Sequence, residues 1–353
     1  MPILQRVLTT FLGKSMIGPN GPSLDTLLAQ LDAHADNLTT VVRSAAESKP
    51  RTPFDSKMPA GETWMVTLKP HQVARVLPVI LPLVLNMRRS ARFYDEQYQP
   101  THGHAGPEFI AELEAIAHAA GAKDIRYVRV PRYAVFRDKA IPHDYAIIFT
   151  VEMDKAAMET APSFDCMLEV MRGYRNLAII SNKLAGHLRR HGFAAYPGTA
   201  LGGLTDYTHL GELTGLGAIG YHGLLITPTE GARLRVNTIY TNIENLPIET
   251  ENEHLWVRDF CAMCHKCIRA CPVKAIFPQP QPRGDGGMQC IDHDSCRDYF
   301  ASNLGCAVCL AVCPFSEKGY EAIRERFKGN PDAPQFQIGR IELQRVEASS
   351  AAG

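Results

Sequence analysis

The chain has 353 residues, 45% of them hydrophobic, and its 37 basic and 37 acidic side chains leave no formal net charge. That length accommodates one large domain and a small one. The charge balance gives no reason to expect a nucleic acid or an anionic membrane surface as partner.

Residues 1–60 read as a helical, proline-containing lead-in, in which Ser23 caps a helix with Leu24, Leu27, Leu28 and Leu31 on one face. Residues 1–14 show no small-residue cleavage site of a signal peptide. Thr63 to Lys69 alternates like a strand. The longest apolar run, Val76 to Met87, holds twelve residues including Pro78 and Pro82, too short to span a bilayer and suited to a buried or partner-facing segment. Arg88-Arg89 follows that run and precedes a polar stretch, unlike a twin-arginine export signal. The chain therefore reads as cytoplasmic, a setting that keeps thiols reduced.

Pro107 to Ala120 has a helical apolar pattern (Phe109, Ile110, Leu113, Ile116) and stops at Gly121. Ile125 to Val130 and Tyr145 to Val151 predict strands, and Cys166 to His191 predicts a long helix closed by Gly192. His209 to Thr214 reads as helical, and Gly223 to Thr227 and Arg233 to Ile243 as strands. Such alternation predicts an α/β domain over about 61–250. Composition then shifts to cysteine and proline, which marks a second domain over about 251–328, followed by a small-residue tail at 329–353.

Nine of the ten cysteines lie between Phe260 and Phe315. Cys261, Cys264, Cys267 and Cys271 follow C-x2-C-x2-C-x3-C with Pro272 next, and Cys306, Cys309 and Cys313 follow C-x2-C-x3-C with Pro314 next. The first pattern is that of bacterial [4Fe–4S] ligation, in which the fourth cysteine serves the other cluster. Tightly spaced cysteines wrap three corners of a cubane, and the cysteine before proline starts a helix towards the second. This crossover assigns Cys261, Cys264, Cys267 and Cys313 to cluster one, and Cys271, Cys306 and Cys309 to cluster two. The remaining ligand of cluster two is Cys290 or Cys296. Cys296 is favoured, because Arg297 to Gly305 can form a short helix and return. Structural zinc sites more often use two separated pairs, and a disulfide framework suits shorter secreted chains.

Gly215, Gly217 and Gly220 spell G-x-G-x-x-G. A dinucleotide site requires a strand before these glycines and a helix after them. Here the order is reversed, so the glycines suit a helix end and a turn where backbone approaches a flat ligand.

Arg189 to Pro197, the turn Leu213 to Gly220, its continuation Gly223 to Pro228 with Gly231 and Arg233 to Val236, Thr241 to Pro247, and the cysteine order including Cys296 together resemble corrinoid-dependent reductive dehalogenases. Epoxyqueuosine reductase, a tRNA-modifying relative of that family, shares the glycine turn and the cysteine arrangement. The likeness is close over about 165–320 and loose before. It implies a nitroreductase-like α/β (α+β) domain that holds cobalamin with its lower base detached, and a C-terminal ferredoxin-like domain with two [4Fe–4S] clusters. A low-potential donor of ferredoxin or flavodoxin type would feed electrons through the clusters to cobalt, which would reduce a small, halogenated organic substrate. The positions implied at the cofactor are His209, Gly215, Leu216, Gly217, Gly220, Thr241 and Asn242.

A tyrosine hydroxyl is protonated at neutral pH and can serve as proton donor beside a cation. Tyr174 falls where the family carries its tyrosine acid. The family's Arg or Lys after the last glycine is replaced by Tyr221, followed by His222; these are the alternative donors, His222 as a possible cation. The aspartate of epoxyqueuosine reductases has no counterpart, and Asp206 with His209 reads as a helix cap more than as a cofactor contact. The departure leaves a second reading open: a corrinoid-activating reductase, or a ferredoxin-like electron carrier without an organic substrate. A tRNA substrate ranks last, since no basic stripe is evident.

Overall fold

A computed structural model of the chain describes residues 42–52, 68–95, 97–284 and 287–328. The helix expected after Ser23, the tail and all but the last two residues of the strand expected at Thr63 to Lys69 lie outside these. At the centre is a four-stranded antiparallel sheet in the order β2-β4-β8-β5, formed by Ile125–Arg129 (β2), Tyr145–Glu152 (β4), Ala195–Pro197 (β5) and Leu234–Thr241 (β8). The pairs Val42–Arg43 (β1) with Ala140–Ile141 (β3), Ala218–Ile219 (β6) with Leu225–Ile226 (β7), and Ile276–Pro282 (β9) with Met288–Ile291 (β10) complete the strands among the described residues.

Strands β4 and β8 pair along their full length, from Tyr145 opposite Thr241 to Glu152 opposite Leu234. Period-two alternation sends successive side chains of β4 to opposite faces. Ile147, Phe149 and Val151 join one core cluster, and Ala146 and Ile148 join another, so both faces of the sheet are covered.

Three helices cover the first face: Pro70–Arg92 (α1), Pro107–Ala119 (α2) and Phe164–Arg190 (α4), with the short Lys155–Glu159 (α3) leading into α4. The apolar run seen in the sequence lies within α1, which passes through Pro78 and Pro82. Its Val76, Val79, Ile80, Leu83 and Met87 are buried, while Leu85 is 51% exposed. Each internal proline removes a backbone donor, and lateral fastening to α4 supports the helix: Asn182 donates to the Asn86 carbonyl at 2.8 Å and Ser90 donates to Asn182 at 3.0 Å. Helix α4 starts where the Ser163 hydroxyl accepts from the Cys166 N–H and ends before Gly192, whose φ of +80° needs glycine.

The second face is closed by Tyr207–Leu213 (α5) and the β6–β7 hairpin, through Leu210, Leu216 and Leu225. The cysteine-rich segment then folds as Trp256–Cys264 (α6), Lys266–Ala270 (α7), β9, β10, His293–Ser302 (α8), Val308–Ala311 (α9), Pro314–Glu317 (α10) and Tyr320–Lys328 (α11). Trp256, Phe315, Tyr320 and Phe327 pack it against Ala218, Tyr221 and Ile226 of the hairpin and against Val170 of α4. No helix among the described residues is long and apolar enough to cross a membrane.

Candidate functional site

All ten cysteines are free thiols, and eight of them gather in two neighbouring groups. Cys261 shares its surroundings with Cys313, Cys267 and Cys264, and Cys313 in turn with Cys267 and Cys264. Cys309 lies among Cys296, Cys306 and Cys271. Cys290 faces other company: Arg258, Glu212, Arg283 and Lys49. Cys296 thus stands beside the second group, and Cys290 apart from both.

Backbone geometry aims N–H groups at these sulfurs. Tyr221 N–H reaches the Cys261 thiol, Val308 N–H that of Cys306, and Phe315 and Ser316 N–H that of Cys313. Leu304, Gly305, Cys306 and Ala307 all have positive φ, so the loop before α9 curls tightly. Beyond Cys271 the expected helix does not form. The Ala275 N–H donates to the Cys271 sulfur at 3.3 Å instead of to a carbonyl, Lys274 turns at φ +54°, and the chain enters β9. Helix starts are found elsewhere: α10 begins at Pro314 and α8 follows β10.

Burial pushes the Cys296 thiol up to about 11 and the Cys313 thiol up to about 12. Alone, such groups stay protonated and uncharged; a metal centre would displace the protons and supply the charge that the N–H donors compensate. Among the described residues no three His, Cys, Asp or Glu side chains converge on a single ion. A cubane spreads its thiolates around a larger cage of iron and sulfide, so this arrangement fits clusters better than a lone metal.

A cleft of about 360 Å³ opens between the sheet and the cysteine segment. Cys271, Cys296, Cys306 and Cys309 line one wall, whereas none of Cys261, Cys264, Cys267 and Cys313 does. The lining also brings together Tyr174 of α4, His209 of α5, His222 of the β6–β7 turn and Arg235 of β8. Both ring nitrogens of His209, Nε2 of His222 and Nε of Arg235 are buried without a hydrogen-bond partner. Buried polar atoms are nearly always paired; these four belong to residues that line the cleft, and His209 Nδ1 lies 3.9 Å from the Glu212 carboxylate.

His222 is not the cation that its position suggested. Burial lowers it to about 4, which leaves the ring neutral near pH 7. Its Nδ1 accepts from the Leu224 N–H at 3.2 Å, so the proton sits on the buried Nε2. Asp206 caps α5, accepting from the His209 N–H at 3.3 Å, and pairs with Lys49 at 2.5 Å.

Other sequence-selected residues lie elsewhere. Tyr221 stacks on His265, with ring centroids 6.0 Å apart, beside the first thiol group. Gly215, Leu216, Gly217 and Gly220 do not line the cleft. The close approach that their turn makes is to the chain's own backbone: a Cβ on Gly217 would meet the Ile226 carbonyl at 2.0 Å, and one on Gly215 the Glu251 carbonyl at 2.9 Å. Thr241 donates to the Ala194 carbonyl at 2.8 Å, and Asn242 accepts from the Ala194 N–H at 2.7 Å and donates to the His102 carbonyl. Both fasten the β5 edge of the sheet away from the cleft.

Arg235 was missed by sequence reasoning. Its guanidinium lies over the Tyr174 ring, 5.0 Å from the centroid. Gly173 makes the room, since a Cβ there would come within 3.1 Å of Arg235 Cγ. A glycine inside an otherwise strong helix, one residue before the selected tyrosine, was the available signal.

With that geometry in place the chain can be set beside known proteins. No family model matches it. The tetrachloroethene reductive dehalogenase of Dehalobacter restrictus is 33% identical over 199 residues, which cover 53% of this chain and 34% of that protein. The enzyme of the same name from Sulfurospirillum multivorans is 29% identical over 180 residues, 48% of this chain and 35% of its own length. Epoxyqueuosine reductase of Listeria monocytogenes is a weaker match, 27% over 144 residues, covering 37% of this chain and 35% of that protein. The chain thus spans about a third of the length of these curated relatives. Among solved structures, the catabolic reductive dehalogenase NpRdhA in complex with 3-bromo-4-hydroxybenzoic acid superposes at TM-score 0.60 and 20% identity, over 80% of this chain and 43% of that one. Over those residues this chain has the fold of a reductive dehalogenase. A second solved structure of that fold, presented with a mechanism for B12-dependent dehalogenation, superposes at the same score and 19% identity.

In this chain a buried ion pair joins the two parts. Arg258 of α6, three residues before Cys261, donates to Glu212 of α5 at 2.5 Å, and both side chains are at least nine-tenths buried. Glu212 also accepts from the Ile219 N–H at 2.7 Å, holding the β6 strand. Removing one partner takes a buried counter-charge from the other. Glu212→Ala is therefore expected to cost about 3–5 kcal/mol in denaturant unfolding, and Glu212→Gln with Arg258→Met much less.

Proposed function

We propose that this chain is a corrinoid-dependent iron–sulfur reductase of the reductive dehalogenase type, acting on a small halogenated organic substrate. The observation that carries the reading is the cleft, where the second thiol group and the orphaned polar atoms of His209, His222 and Arg235 face the same space. The similarity to named dehalogenases supports it.

Cys261, Cys264, Cys267 and Cys313 would hold one [4Fe–4S] cluster, and Cys271, Cys296, Cys306 and Cys309 the other, in a ferredoxin-like arrangement. The second cluster borders the cleft and the first lies behind it, giving electrons an inward order. A corrinoid in the cleft would supply a strongly reducing metal centre able to take a halide from carbon, and the nitroreductase-like sheet with α5 would form its seat. The chain's own residues then have separate tasks. Tyr174 holds a proton on its hydroxyl for the carbon that loses halide. Arg235 places a fixed positive charge over the ring and stabilises the phenolate left behind. Neutral His222 presents its Nε2–H as a hydrogen-bond donor.

The test is anaerobic reconstitution with iron, sulfide and cobalamin. Retention of about eight irons and about one cobalt per chain, with the spectrum of cobalamin lacking its lower base, is the expected result. Eight irons without retained cobalt in a folded chain would replace this reading by that of an electron-transfer protein.

A further inference from the structure

Away from the cleft and the thiol groups, two imidazoles meet where α4 ends. His187 and His191 are four residues apart, so they stand on one face of the last turn, and their ring centroids are 4.3 Å apart. His191 Nδ1 lies 2.9 Å from the His187 carbonyl oxygen. A carbonyl only accepts, so the proton is on Nδ1, and in the neutral ring Nε2 keeps its lone pair. Anchoring one ring nitrogen on a backbone carbonyl is the usual way a protein orients a metal-ligating histidine.

His187 is 6% exposed, and its Nε2 is buried without a hydrogen-bond partner. Glu112 Oε1 of α2 is 3.6 Å from that nitrogen, too far for a hydrogen bond. Two ligands of one tetrahedral zinc-type ion, each bound at about 2.0–2.1 Å, stand about 3.3 Å apart. The separation is therefore closer to that of two atoms sharing an ion than to that of a donor and its acceptor. Phe109 of α2 stacks on His187 at 5.4 Å and lies 5.3 Å from His191, so one aromatic ring braces both imidazoles. Among the described residues no three side chains converge on one point. The two imidazoles are the preset part, and the Glu112 side chain, 55% exposed, has room to turn towards an ion. Arg190, which also acts on His187, opposes a cation, but it is exposed and screened by solvent.

We propose that His187 and His191, with Glu112 as third ligand, bind a borderline divalent ion of the zinc or nickel class and so tie α2 to the end of α4. Imidazole and carboxylate suit such ions, and two histidines four apart on a helix form a chelate for them. Water completes the coordination, and no electron is transferred. The site is independent of the iron–sulfur and corrinoid reading, since none of its three residues lines the cleft.

The probe is Ni²⁺, titrated calorimetrically into the iron-reconstituted chain under anaerobic conditions, with the cluster absorption followed in parallel. Any ion taken by cysteines is common to parent and variants, so the difference between them is the readout. His191→Gln, at an exposed position, is expected to weaken Ni²⁺ binding at least about tenfold and Glu112→Gln several-fold, whereas His118→Gln, elsewhere on α2, should bind as the parent does. Without Ni²⁺ the parent and His191→Gln should unfold at the same temperature. Added Ni²⁺ should raise the midpoint of the parent and leave that of His191→Gln in place, a difference that a merely structural role for His191 would not produce. Equal Ni²⁺ affinity and equal thermal response in parent and His191→Gln would overturn the inference.

Discussion

Cys296→Ala protein, reconstituted with iron and sulfide, is expected to hold about half the iron of the parent chain, whereas Cys290→Ala is expected to hold all of it. The sequence favours Cys296 and keeps Cys290 as the alternative. In the structure the Cys296 thiol shares its surroundings with Cys271 and Cys306, while Cys290 is buried among Arg258, Glu212, Arg283 and Lys49. Its position there is that of a cleft-wall side chain, with a Cβ on Gly223 approaching it at 3.4 Å. Iron and acid-labile sulfide, counted per folded chain, decide the matter. Full iron in Cys296→Ala together with loss in Cys290→Ala would reverse the assignment. The expected effect is large because removing one thiolate leaves a cluster corner bare inside a partly buried loop.

The gathering of eight thiols into two groups follows their short spacings in the sequence, the pattern expected of cubane ligation. The central elements were legible for a related reason. The apolar pattern predicted a helix from Cys166 to His191 and the structure has Phe164–Arg190; the strand expected at Tyr145 to Val151 is Tyr145–Glu152. The β6–β7 region was less so. The strand expected over Gly223 to Thr227 shrinks to Leu225–Ile226, because Gly223 turns at φ +78° and Thr227 is held by Gly231 across the next turn.

What local pattern could not reveal is which surface meets which. Gly217 looks like a ligand-approach glycine, yet the backbone it approaches belongs to Ile226. Tyr221 follows the glycine turn directly, but its ring goes to His265 and its N–H to Cys261, on the cysteine side of the hairpin. Arg235, between Leu234 and Val236, has the look of an ordinary solvent-facing strand residue. Its role depends on α4 crossing β8 with Gly173 at the crossing point, a tertiary fact with no local sequence pattern of its own.

That crossing gives the second large expectation. In the corrinoid-loaded enzyme, Tyr174→Phe is expected to lower turnover of a halogenated substrate by about 10²–10⁴-fold, the range for loss of a positioned general acid, with iron and cobalt content unchanged. In the proposed reaction Arg235 would act on the same proton through the tyrosine ring, as a positioning residue. A cation over an aromatic face is worth about 0.5–2 kcal/mol, so Arg235→Gln should lower turnover roughly 2- to 30-fold, and Arg235→Lys should recover part of that loss. Coupling separates this arrangement from mere packing. If Arg235 works by stabilising the Tyr174 phenolate, Arg235→Gln should have little further effect once Tyr174 is Phe, and the double variant should match Tyr174→Phe alone. Additive losses would instead assign Arg235 an independent contact with the substrate or the corrinoid. Full activity in Tyr174→Phe would pass the proton to another cleft donor, with His222 next in line because it lines the cleft and its Nε2 lacks a partner.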